Sequence, residues 1–221
     1  MRRVPLFVFA YGSLIFRPSR LFGERRAALV RGFRRAFRQG SPDHRGTPEL
    51  PGRVVTLLRE DGASCGGALY TVEDARIEEA LVELDDRESG GYDRAEVLAE
   101  VPVRGAGVGA GVGAAAGNEV ELVRAVTWIA PPSNPNHHEE APLASVVEVV
   151  RRARGKSGAN LEYVLRLAVA LRELGWSDAE VFALEAALLA GAPGATEAAG
   201  AGAGAAAGAG AGVAGEAASD R

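Results

Sequence analysis

Leu6-Phe7-Val8-Phe9-Ala10 runs directly into Tyr11-Gly12-Ser13-Leu14, and this apolar run meeting a glycine turn constrains the fold more than any other feature. An apolar, aromatic-rich run bounded by a turn signal reads as a buried strand. Gly12 lets the backbone turn where a side chain would clash. Successive amide N–H groups in such a turn can face an anion or a polarised carbonyl. The run is too short to span a bilayer and has no cleavage pattern behind it, so it reads as the first core strand.

Two tracts break the globular pattern. Gly105 to Gly113 alternates Gly with Ala and Val between two strand-like runs, and Gly191 to Arg221 is an Ala/Gly tract with no hydrophobic period. Neither offers enough apolar surface to offset the entropy of ordering its glycines. The first is expected as a flexible insertion in a hairpin near 104–118, and the second as a disordered tail over 191–221. Residues 1–190 are then one domain. No G-x-G-x-x-G register followed by a helix occurs in the first tract, which argues against a dinucleotide site.

Strands come first and helices later. Ala28 to Phe37, Arg53 to Leu58 and Gly66 to Thr71 read as strands separated by turns. A helix is expected from Val72 to Arg87, with Ile77, Ala80, Leu81 and Leu84 on one face and Thr71 with Asp74 as its capping pair. Two strands, near Ala95 to Val103 and Val120 to Ala130, flank the Gly-rich tract. Helices follow over Leu143 to Ala153, Leu161 to Leu174 and Asp178 to Ala190, the last capped by Ser177 and Glu180. The pattern predicts an α+β fold: a small mixed sheet curled into a barrel, packed with helices and followed by C-terminal helices.

Charge and cysteine usage narrow the function. A formal net charge of -4 provides no global field toward nucleic acid or anionic lipid. The single Cys65 excludes an internal disulfide and a multi-cysteine metal cluster and favours a reducing compartment. The Arg-rich run from Arg25 to Arg38, with Phe33 and Phe37 between, is the best case for nucleic-acid binding, and the negative net charge weighs against it. Ser13 as a nucleophile would need an oriented base; His44 is available, but no G-x-S-x-G elbow is present. His137 and His138 are adjacent, a spacing that suits a surface loop better than a shared metal.

Glu88 stands where the first long helix should end, just before Gly90-Gly91. A carboxylate at a helix C-terminus faces the negative end of the dipole, which raises its pKa toward the range useful for proton transfer. Taken alone, the same residue reads more readily as a solvated carboxylate beside Arg87, with Glu83, Asp85 and Asp86 as a solvated acidic face.

The company these residues keep decides between the two. Tyr11 to Leu14, Arg38-Gln39-Gly40-Ser41, Asp43-His44-Arg45-Gly46, Pro51-Gly52-Arg53-Val54-Val55-Thr56-Leu57 and Arg87-Glu88-Ser89-Gly90-Gly91-Tyr92-Asp93 follow in order. Later come Pro131-Pro132-Ser133-Asn134-Pro135-Asn136, Ala141-Pro142-Leu143, Gly155-Lys156-Ser157-Gly158 and Asn160-Leu161-Glu162-Tyr163. Together they resemble the ChaC-type, glutathione-specific gamma-glutamylcyclotransferases from Leu6 to about Leu189. Phe16, Glu83 and the two histidines after Asn136 depart from the family pattern.

The resemblance implies a gamma-glutamylcyclotransferase fold and Glu88 as the catalytic glutamate. It also implies that Tyr11, Gly12, Ser13 and Leu14 hold the gamma-glutamyl group. The implied reaction is intramolecular aminolysis, in which the α-amine of glutathione attacks its own side-chain amide to give 5-oxoproline and cysteinylglycine. No metal or cofactor is implied, and no nucleic-acid or membrane partner. The expected protein is a cytoplasmic monomer. A cyclotransferase for another gamma-glutamyl amine or peptide, and a noncatalytic binding protein on the same fold, are the alternatives.

Overall fold

The structure, a computed structural model, describes residues 5–103 and 119–190. The expectations for the Gly-rich insertion and the Ala/Gly tail lie outside the described residues. Five strands close a barrel in the order β1 (Leu6–Ala10), β3 (Gly52–Val72), β2 (Phe22–Ser41), β4 (Asp93–Pro102), β5 (Val120–Ile129). β1 runs parallel to β5 at Val8↔Val126, and the other ladders are antiparallel. Val8, Phe9 and Ala10 are buried as the apolar run requires.

β2 and β3 are longer than the sequence suggests. The expected strands Arg53 to Leu58 and Gly66 to Thr71 are one element, because β2 provides a continuous partner from Phe22 to Ser41. The turn signal between them is met by a local excursion: Phe33 pairs with Arg59 but Arg31 with Ser64, so Glu60 to Ala63 leave the ladder.

α1 covers Ile77–Arg87 after a single 3-10 turn at Asp74–Arg76, a later start than Val72. Thr71 is not its cap. It pairs with Phe7 in the β1–β3 ladder, and its Oγ1 accepts the Glu24 N–H at 2.9 Å. Ala80 and Leu84 are buried, and Ile77 and Leu81 pack at the edge of the core. α2 (Leu143–Arg152), α3 (Asn160–Glu173) and α4 (Ala179–Ala190) follow.

The cap of α4 is Asp178 and not Ser177: Asp178 Oδ1 accepts the Val181 N–H at 3.0 Å. Glu180 turns away to accept the Phe37 N–H at 2.8 Å and pair with Arg34. Much of the basic run is matched by acids in the same way, through Arg26–Glu121, Arg31–Glu100, Arg35–Asp178 and Arg38–Glu139.

Candidate active site

β1 delivers Tyr11 to the end of the barrel, and several remote groups fix it there. Its hydroxyl donates to the Trp128 carbonyl at 2.6 Å, and its own carbonyl accepts from Arg35 Nε at 2.8 Å. Arg35 is 3% exposed and also bonds the Gly66 carbonyl and Asp178, so one buried guanidinium joins the turn, β3 and the start of α4. Sequence reasoning missed Arg35, because nothing in an Arg-rich run marks which member is buried.

Gly12 opens a single 3-10 turn over Ser13–Ile15. Space there is tight: a Cβ would stand 3.2 Å from Val55 Cγ2 and 3.4 Å from the Tyr163 hydroxyl, so Val55 would have to give way by a few tenths of an ångström. The Ile15 N–H bonds the Gly12 carbonyl at 3.0 Å. The Ser13 and Leu14 N–H groups precede that bond, and the first N–H groups of a helix have no acceptor within it.

Glu88 directly follows α1, and its N–H still bonds the Leu84 carbonyl at 2.9 Å. The chain leaves the helix through Gly91, at φ +86, which an L side chain rarely adopts. A Cβ at Gly91 would also lie 2.5 Å from Asn134 Nδ2. That amide donates to the carbonyls of Gly90, at 3.1 Å, and Gly91, at 2.6 Å, so the loop after β5 holds the exit from α1.

Gln39 reaches the Gly90 carbonyl from the other side at 3.4 Å. Opposite Ala36 to Gln39, β3 advances only from Thr56 to Val54, and this bulge turns Gln39 onto the face of Ala36 and away from that of Arg35.

Tyr11, Gly12, Ser13, Leu14 and Glu88 all line one cavity of about 490 Å³. Burial raises the Glu88 carboxyl above its ordinary pKa, and Arg87 opposes the rise. Desolvation, which the sequence does not show, is the largest cause. The Glu88 side chain is only 18% exposed, unlike a solvated surface carboxylate.

Burial also pushes the Tyr11 and Tyr92 hydroxyls well above the usual phenol range and that of Tyr163 up to about 12, so all three remain protonated. Tyr92 donates to the Val55 carbonyl at 3.1 Å, and Tyr163 accepts the Val55 N–H at 3.3 Å. Arg87 is the charged group that opposes the effect of burial on Glu88.

Ser13 Oγ accepts from Arg87 Nη2 at 3.0 Å, whereas His44 Nδ1 meets Ser157 Oγ at 2.8 Å. Among the described residues no base is directed at Ser13, so the serine-nucleophile arrangement is not built there. Asp43-His44-Arg45-Gly46 forms part of the cavity wall through Asp43, His44 and Arg45. The loop carrying His137 and His138 is stitched alongside β2, with the His138 N–H on the Arg38 carbonyl and the Gly40 N–H on the Asn136 carbonyl, both at 2.7 Å. Asp85 is exposed but not merely solvated: it accepts Trp128 Nε1–H at 2.9 Å and pairs with Arg94.

The chain is similar to a set of known proteins over most of its length. It is 36% identical over 168 residues to glutathione-specific gamma-glutamylcyclotransferase 1 of Homo sapiens, covering 74% of this chain and 68% of that protein. It is 37% identical over 182 residues to gamma-glutamylcyclotransferase 2-3 of Arabidopsis thaliana, covering 80% and 84%. The crystal structure of a yeast gamma-glutamyl cyclotransferase specific to glutathione matches with a TM-score of 0.71 at 25% identity, covering 85% of this chain and 99% of that one. The model of the ChaC-like protein family matches residues 6–190. With that match spanning the barrel, the helices and the cavity, the chain belongs to the ChaC-like family.

Proposed function

We propose that this protein is a glutathione-specific gamma-glutamylcyclotransferase that releases 5-oxoproline and cysteinylglycine. The observation that carries the reading is a buried carboxylate, Glu88, lining the same cavity as the glycine turn Tyr11 to Leu14. The activities for which the human and yeast relatives are named point to the same reaction.

Each part of the cavity has work in that reaction. The amide N–H groups at the start of the turn bind the gamma-glutamyl carbonyl and stabilise the oxyanion as it forms. Glu88 takes a proton from the α-ammonium, and the freed nitrogen attacks the side-chain carbonyl carbon. A bond forms between that nitrogen and carbon. The bond to the cysteine nitrogen then breaks as Glu88 returns its proton to the departing amine, and the second proton of the attacking nitrogen passes to the same amine, leaving a neutral lactam N–H and cysteinylglycine as its ammonium. Nucleophile and electrophile belong to one molecule, so folding the substrate supplies most of the required proximity.

Desolvation suits Glu88 to both halves of the exchange, since a raised pKa brings the carboxyl closer to neutrality. The same reading takes residues 1–190 as one catalytic domain, with the tract near 104–118 and the segment 191–221 outside its chemistry. It expects a monomer acting in the cytoplasm, with no nucleic-acid partner. Among the described residues no helix is long and apolar enough to cross a membrane.

The test is product analysis. Purified protein incubated with glutathione should yield 5-oxoproline and cysteinylglycine in equal amounts. Recovery of unchanged glutathione, or of free glutamate in place of 5-oxoproline, contradicts the assignment.

A further inference from the structure

Three arginines line the cavity, and they are not equivalent. Arg87 is committed to Ser13 Oγ, to the Arg17 carbonyl at 2.9 Å and to the neighbouring Glu88. Arg45 faces Glu162 at 3.6 Å and bonds the Ala159 carbonyl at 3.1 Å. Arg17 has no carboxylate within ion-pair distance among the described residues, although its side chain is exposed at the cavity.

The acids nearby are already taken. Asp43 is held by Lys156 at 2.7 Å, and Glu162 is shared between Arg45 and Arg166, the latter at 2.9 Å. Burial lowers the pKa values of His44, Arg45 and Arg87, and the Arg17 charge adds a smaller lowering to each. An arginine left without an acid in a cationic rim is a site for an anion brought by the ligand.

We propose that Arg17 is a specificity-determining residue that receives the glycine carboxylate of glutathione at the mouth of the cavity, an inference that rests on the cyclotransferase reading above. Glutathione has two carboxylates. The α-carboxylate shares a carbon with the attacking amine and must lie beside Glu88, where Arg87 is the adjacent cation. The glycine carboxylate is at the other end of the tripeptide and needs a partner farther out.

Arg17 is anchored to provide one. Its N–H bonds the Ser13 carbonyl at 2.8 Å, one turn beyond the candidate gamma-glutamyl site, and its carbonyl is held by Arg87. A planar guanidinium can take a terminal carboxylate through two parallel hydrogen bonds. Gamma-glutamyl amines without a second carboxylate forgo this contact and are selected against.

The test compares glutathione with its glycine monoethyl ester, which keeps the reacting end and loses the distal charge. For the wild-type protein KM should be several-fold higher for the ester. Arg17→Ala should raise KM for glutathione roughly ten- to 150-fold, the range for a hydrogen bond to a charged group, with kcat within about twofold. On the ester, Arg17→Ala and wild type should agree within about twofold, and Arg17→Lys should recover part of the glutathione KM.

Equal losses on both substrates, or no change on either, overturn the role given to Arg17 while leaving the reaction standing. Failure of the wild-type protein to form 5-oxoproline from glutathione refutes both readings at once. Because Arg17 is exposed and strands no acid partner among the described residues, its variants should fold as the parent does, and turnover of the ester verifies that directly.

Discussion

Arg87 Nε lies 3.7 Å from the Glu88 carboxylate without hydrogen-bonding to it. The distance is set by commitments elsewhere: both Arg87 Nη atoms are spent on the Arg17 carbonyl and Ser13 Oγ. Arg87 therefore reduces the pKa of Glu88 through space while burial raises it, and burial is the larger influence. A closer, bidentate pair would have fixed the carboxylate in its charged form and made it a poor proton carrier.

A pH profile reads this balance. The acid limb of kcat/KM should fall above the ordinary carboxylate range, because activity is lost as Glu88 is protonated and its pKa is raised. Arg87→Gln removes the one opposing charge, so the limb should shift to higher pH in that variant. A limb that stays in place or moves down would show that Arg87 does not act on Glu88.

Glu88→Gln should lower turnover by roughly a hundred- to ten-thousand-fold, the usual cost of losing a general base. The variant should also be at least as stable as wild type at neutral pH. A carboxyl with a raised folded-state pKa favours the fold when protonated, below its unfolded pKa, and loses that contribution as pH rises through the folded value. Gln cannot ionise, so its stability advantage should shrink as pH falls toward the ordinary glutamate range. Thermal melts of both proteins across that interval measure the sign.

Most of the fold is legible in the sequence, and the misreadings share a cause. β1 and the apolar face of α1 follow from local pattern. The length of β2 and β3 does not, because each strand is extended by the other across residues that locally favour turns. Thr71 and Ser177 looked like caps because both precede helical sequence, yet Thr71 is claimed by a strand ladder and Asp178 takes the cap. Glu88 could be placed at a helix end from Gly90-Gly91, but its role came from the family resemblance. Its burial could not be read at all: the tyrosines around it arrive from positions 11, 92 and 163 and meet only in the folded chain.

The exit from α1 should be sensitive for the same reason. Asn134→Ala removes both bonds to the Gly90 and Gly91 carbonyls, each worth about 0.5–1.5 kcal/mol. Glu88 then loses its fixed position, so kcat should fall more than KM rises. Gly91→Ala should be worse, since its φ of +86 and its approach to Asn134 both resist a Cβ. If Asn134→Ala melts earlier but keeps the wild-type kcat, the loop supports the fold without positioning the carboxylate.

Oxygen labelling separates cyclisation from hydrolysis most directly. The α-amine is the attacking group in the proposed reaction, and water is not a reactant. Glutathione turned over in water enriched in oxygen-18 should give 5-oxoproline without the label, because the lactam carbonyl keeps the oxygen of the gamma-glutamyl amide. N-Acetylglutathione should not be turned over, since its acylated nitrogen is a poor nucleophile and carries no ammonium proton for Glu88 to accept. The Cys-Gly bond should survive intact, as nothing in the reaction polarises it. Labelled free glutamate, or turnover of the N-acetyl compound, would mean that Glu88 activates water instead, and the cavity would then be that of a gamma-glutamyl hydrolase.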